Sequence, residues 1–125
     1  MKYKSLVTSE KEKSFFNEII EQDISVLPEN DTLIKVKYSS LNYKDALSAS
    51  GNKGVTRAYP HTPGIDAAGI IEETSSSNLN VGEEVIVTGY DMGMNTFGGF
   101  GEYIKVPETW ICLLYTSDAA DDLGR

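Results

Sequence analysis

The sequence predicts a mainly β domain with one short helix, closed into a compact and partly open barrel. Three observations carry that expectation. Short stretches rich in Val, Ile, Tyr and Phe recur along the 125 residues. Turn signals separate them every 8–12 residues or so, the spacing of small all-β folds. Only one segment has a helix-start residue and a helix-stop residue at matching ends.

Taken in order, Lys2 to Thr8 reads as a first strand, with Tyr3, Leu6 and Val7 as its apolar groups. Ser14 to Glu21 fits strand or helix by pattern, and its Phe and Ile content favours strand. Leu27 to Asp31 is a turn, since Pro28 fixes φ and Asn30 and Asp31 tolerate turn geometry. Thr32 to Leu41 alternates: Ile34, Val36 and Tyr38 are expected on the buried face, Lys35, Lys37 and Ser39 on the other. Asn42 then reads as a helix N-cap before Tyr43 to Ser50, with Asp45 in the first turn. Gly51 stands where a left-handed residue closes such a helix. Residues 52–62 are expected to form a surface loop, kept extended by Pro60 and Pro63, with His61 as a loop residue. Ile65 to Glu73 is a strand, Ser75 to Asn78 a loop, and Val81 to Val87 a turn followed by a strand. Gly89 to Gly101 holds many of the glycines and is expected to be irregular. Glu102 to Val106 is one more strand.

The balance of 11 Lys and Arg against 19 Asp and Glu gives a net charge of −8. Nucleic acid is thereby disfavoured as a partner, because phosphate binding needs a basic face. No stretch approaches the roughly 18 apolar residues of a membrane helix, and no signal peptide is visible, so a cytoplasmic location is expected. The single cysteine, Cys112, excludes an intrachain disulfide and a cysteine-based metal cluster. The single histidine, His61, excludes a histidine-rich metal site within the chain.

Two stretches dominate the functional reading: Ser40 to Leu47, a strand end turning into the helix, and Pro63 to Gly69, a Pro-Gly turn feeding a strand of small residues. Brought together, they would form one wall of a cleft. Asn42-Tyr43-Lys44-Asp45, Pro63-Gly64-Ile65-Asp66-Ala67-Ala68-Gly69 and Val81-Gly82-Glu83-Glu84-Val85 resemble the medium-chain dehydrogenase/reductase superfamily, in its N-terminal, chaperonin-10-like (GroES-like) catalytic domain. Ser39 to Leu47 with Pro63 to Asp66 is similar to the zinc-free subgroup of acrylyl-CoA reductases and quinone oxidoreductases. The resemblance covers residues 1–111. It implies the GroES-like, alcohol dehydrogenase N-terminal type of partly open barrel, in an enzyme whose dinucleotide-binding Rossmann domain would follow and is not in this chain.

Zinc-dependent members carry Cys-x-x-Asp where this chain has Asn42 to Asp45, and Gly-His-Glu where it has Gly64-Ile65-Asp66. Asn42 is a poor zinc ligand and Ile65 is none, so no metal is expected. The resemblance implies NADPH-dependent hydride transfer to an activated C=C, such as an acrylyl-CoA-like enone or thioester, or to a quinone. It makes Tyr43 and Asn42 the candidate cofactor contacts; no catalytic residue is named. Asp45 and Asp66 are expected to be structural. Lys44, Lys53 and Arg57 read as solvated loop charges, although they could meet cofactor phosphates. Tyr59 is a weak candidate proton donor. The glycines around Phe97 to Gly101 lack the spacing of a phosphate fingerprint.

The resemblance further implies a small-molecule substrate and a homodimeric full-length enzyme, with the fragment alone inactive. Residues 112–125 resemble translated adapter read-through and are expected to be a non-native tail. The competing reading is a non-catalytic chaperonin-10-like binding module. A zinc alcohol dehydrogenase domain is a third, weighed down by Asn42 and Ile65.

Overall fold

The structure, a computed structural model, describes residues 1–114. Apart from Cys112 to Leu114, the expected non-native tail therefore lies outside the described residues. Strand β1 (Lys2–Lys11) and strand β2 (Ser14–Asp23) form an antiparallel hairpin, with Lys11 opposite Ser14. Its two-residue turn, Glu12-Lys13, has positive φ at both positions (51° and 68°), the geometry that matches the right-handed twist of the flanking strands. The remaining strands are β3 (Thr32–Tyr38), β4 (Asp66–Thr74), β5 (Glu84–Thr88), β6 (Tyr103–Val106) and β7 (Ile111–Leu113). They form one antiparallel sheet in the order β6-β3-β4-β5-β7. The one α-helix among the described residues is α1 (Tyr43–Ala49). The architecture is therefore mainly β with a short helix, in two sheets that do not close into a complete barrel.

Strand β3 is central because it is buried on both faces at its start. Ile34 joins Ala67, Ile71, Val85, Val87, Met92, Ile104 and Val106 in the main core. Its neighbour Leu33 points the other way and packs with Tyr3 and Leu27 beneath the hairpin. The hairpin is tied to the larger sheet through loops. Leu6 N–H donates to Phe100 O (2.8 Å), and Thr8 and His61 exchange backbone bonds of 2.7 and 2.9 Å.

Several expectations need correction. β3 ends at Tyr38 rather than Leu41, and a register irregularity between Val36 and Tyr38 breaks the alternation. Tyr38, expected on the buried face, is 77% exposed. The loop 52–62 is not extended throughout: Val55 and Thr56 N–H both return to Asn52 O (3.0 Å each). His61 is no ordinary surface-loop residue, being 2% exposed. Strand β7 was not foreseen at all. It pairs Cys112 with Ile86 and Leu113 with Val85, two residues past the domain boundary expected at 111. Gly51, by contrast, does adopt φ +94° beyond the helix, and a side chain there would run into the Phe15 ring.

Candidate functional site

The site grows from the point where β3 gives way to α1. Asn42 precedes the helix with extended backbone, φ −129° and ψ 156°. Asp45, at the third helical position, accepts the Asn42 backbone N–H on Oδ2 (2.9 Å), which satisfies a donor that no helical carbonyl can reach. Its other oxygen, Oδ1, accepts Ile65 N–H (2.9 Å). One buried carboxylate thus fastens the helix start to the Pro63-Gly64 turn. Asp66 completes the junction by accepting Ser40 N–H (3.0 Å) and Ser40 Oγ–H (2.7 Å). The two stretches singled out in the sequence do meet, and both aspartates have the structural roles expected of them.

Asn42 sits between these carboxylates. Its Nδ2 faces Ser40 Oγ (3.2 Å), Asp45 Oδ2 (3.3 Å) and Asp66 Oδ2 (3.4 Å). Two acceptor-only carboxylates on one side fix which end of the amide turns inward. Tyr43, beside it, is 80% exposed and packs on none of the aromatic rings paired elsewhere. Tyr38 and Leu41 (87% exposed) line one groove together with Ser40.

The glycine-rich segment forms the back of the junction by close backbone approach. Gly64 has φ +115°, and a Cβ there would lie 2.6 Å from Gly99 N. Gly98 faces Gly64 O so closely that any side chain would collide with it. Gly99 N–H donates to Gly64 O (2.9 Å) and Phe100 N–H to Pro63 O (3.0 Å). These glycines bind backbone, not phosphate, as their spacing suggested.

The other candidates are committed elsewhere. Tyr59 donates its hydroxyl to Ser48 O (2.6 Å), so it is not a free proton donor. Lys53 pairs with Glu10 (2.7 Å) and lies over the Phe15 and Tyr59 rings, which separates it from any shared cluster with Lys44 and Arg57. The His61 ring bonds Gly93 O through Nε2 (2.9 Å). Burial lowers its pKa, against the smaller raising effects of the Gly93 carbonyl and the Asp91 charge. Sequence reasoning missed this role; the flanking Pro60 and Pro63 gave no sign that the ring would be buried against Gly93, Tyr59 and Phe97.

A catalytic zinc does not fit. Among the described residues no three His, Cys, Asp or Glu side chains gather to hold an ion. Asn42 turns its amide nitrogen toward the carboxylates, and Ile65 offers no donor atom. No helix among the described residues is long and apolar enough to cross a membrane.

A GroES-like domain of mostly antiparallel strands, carrying a cleft wall at the β3–α1 junction, is the class these features define. The alcohol dehydrogenase GroES-like domain matches residues 28–116, and the chain belongs to that family. Escherichia coli AcuI, which bears an acrylyl-CoA reductase name, is 42% identical over 89 residues, covering 71% of this chain and 28% of AcuI. Bacillus subtilis YhfP, which bears a quinone oxidoreductase name, is 42% identical over 85 residues, covering 68% and 26%. The crystal structure of the Salmonella enterica yhdH oxidoreductase in complex with NADP superposes with a TM-score of 0.87. It is 33% identical and covers 93% of this chain and 35% of that one. The chain thus spans about a third or less of the relatives it matches.

Proposed function

We propose that the chain is the substrate-side domain of an NADPH-dependent, zinc-independent oxidoreductase. Its substrate is an activated C=C, in an enone or acrylyl-CoA-like thioester, or a quinone. The observation that carries this is the Asn42 site: an amide held by two aspartates, with the exposed Tyr43 ring alongside. A fixed amide beside an exposed aromatic face suits the ring and carboxamide of a nicotinamide. The NADP-bound oxidoreductase of Salmonella enterica and the names of the two bacterial relatives favour the same chemistry.

NADPH, when bound, supplies the hydride. The chain's own residues orient and exclude. Asp45 and Asp66 fix Asn42, and the Gly64–Gly98–Gly99 contacts hold the Pro63 turn against the cleft. Tyr38 and Leu41 offer apolar rim against which a planar acceptor would be shielded from water. The non-native tail, expected from 112, is proposed to begin after Leu114, since Cys112 and Leu113 pair with β5, and the full-length enzyme is proposed to be a cytoplasmic homodimer.

The test is oxidation of NADPH, followed by its absorbance, with acrylyl-CoA and with a quinone. The protein would come from the reading frame extended past residue 111. Turnover is expected there, and none is expected from the 125-residue chain alone. An extended protein that oxidises NADPH with neither acceptor would refute the proposal, as would one that requires stoichiometric zinc.

A further inference from the structure

The proposed function leaves the buried His61 ring without a part. His61 lies at the foot of the Pro63 turn, with its backbone bonded both ways to Thr8 of β1. The Tyr59 ring stands 6.3 Å away at 90° to the imidazole, and the Phe97 ring 6.0 Å away at 66°. The charged group acting on it is Asp91, from the loop that also carries Gly93. An apolar side chain would fill this space and avoid the cost of burying an imidazole. What the imidazole adds is its bond from Nε2 to Gly93 O (2.9 Å). A carbonyl only accepts, so Nε2 carries the proton.

The bonded carbonyl belongs to a residue that touches the cleft wall. Gly93 has φ +79°, and a Cβ on it would lie 2.8 Å from Ile65 N and closer still to Gly64 O. Its own N–H turns back to Thr96 O (2.7 Å), so the segment 91–96 closes on itself. Met92 fixes that segment in the main core, and Asn95 Oδ1 accepts Arg57 N–H (3.0 Å) at the other end. Between these anchors the imidazole holds Gly93 against the Gly64–Ile65 peptide. Ile65 N–H in turn donates to Asp45, the carboxylate that also accepts Asn42 N–H. An unbroken run of contacts leads from the ring to the start of α1.

We infer that His61 is a positioning residue of the cleft wall. Its ring holds the Gly93 carbonyl, and through Gly93 it sets the Ile65 N–H that Asp45 accepts beside Asn42. That this wall receives a nicotinamide rests on the proposed function; the positioning itself does not.

The first readout is the His61 ring in the isotope-labelled 125-residue chain. Burial lowers its pKa, so at about pH 8 the ring is neutral, and its nitrogen shifts are expected to show Nε2–H rather than Nδ1–H. The second is hydrogen exchange. In His61→Leu, protection of Ile65 N–H is expected to fall about tenfold, while Val36 and Ile71 N–H in the sheet keep theirs. His61→Gln, which keeps a donor, is expected to restore most of it. In the protein from the extended reading frame, kcat/KM for NADPH should drop about three- to tenfold in His61→Leu and recover in His61→Gln. The inference is overturned by an Nδ1–H ring, by Ile65 protection that is unchanged or lost equally with the sheet, or by His61→Gln no better than His61→Leu. An active extended enzyme indifferent to both changes would overturn it too. The ring proton is read in the parent, so failure of His61→Leu to fold leaves the ring and His61→Gln readouts to decide. If the extended protein oxidises no NADPH, the proposed function falls, and the ring and exchange results still decide the part of His61.

Discussion

Asp45 illustrates how much one side chain carries in this domain. It is 2% exposed, and each oxygen serves a different backbone donor, Asn42 N–H and Ile65 N–H. Asp45→Ala would leave a part-buried N–H unpaired and strip the helix start of its acceptor. A loss of about 2–4 kcal/mol is expected from the two effects together, read as a lowered urea midpoint. Tyr43→Ala, at an exposed position, is expected to change stability by less than about 0.5 kcal/mol, which separates a binding role from a structural one. His61 makes a second residue-scale prediction. Its folded pKa is lowered by burial, so the unfolded chain takes up the proton first as pH falls. Stability is then complete above the ordinary histidine value of about 6.5 and declines below it, toward the lowered folded value. Urea midpoints measured between about pH 7 and 5 should fall with acid in the parent and stay flatter in His61→Gln, whose amide keeps a donor for Gly93 O. Equal slopes would remove His61 as the cause.

At the scale of elements, the hairpin turn stands out. Glu12 and Lys13 both occupy the left-handed region without being Asn or Gly, a conformation that costs about 1 kcal/mol or more per ordinary residue. Replacing the pair by Asn-Gly is expected to raise stability by about 1–2 kcal/mol, with the Lys11–Ser14 register unchanged. Destabilisation would mean that the turn is held by contacts its dihedrals do not reveal. The same scale explains what could be read in advance. Asn42, Asp45 and Gly51 announced α1 because capping chemistry is local. Tyr38 misled because one irregularity in register turns every later side chain, and no residue type marks it. β7 was invisible for a different reason: Ile111 to Leu113 is too short to show alternation, and its identity as a strand comes from β5 offering an open edge.

For the whole molecule, the order β6-β3-β4-β5-β7 places the last strand against the second-last but one, so the sheet is complete only when the chain reaches Leu113. Ending the chain after Leu114 is expected to leave stability within about 0.5 kcal/mol. Ending it after Trp110 should cost about 2–4 kcal/mol, because Ile111 and Leu113 leave the core and β5 becomes an edge. Chemical denaturation of the two truncations decides this, and a drop on the first cut would place native packing beyond residue 114. The cleft was half legible in the sequence. Asn42, Asp45 and Asp66 were visible as a motif, whereas the groove was not, since it is made by β1, β3 and the 99–102 segment, which are distant in sequence.

Asp45 and Asp66 also have a mechanical meaning. Each aspartate belongs to one stretch and grips the other, so the start of α1 and the Pro63 turn cannot slide past one another without breaking the Ile65 N–H bond to Asp45 and the Ser40 N–H and Oγ–H bonds to Asp66. They form a single plate. If a further domain closes over this face, Asn42, Tyr43 and Ile65 will travel as a unit, and the bending must be taken up elsewhere in the chain.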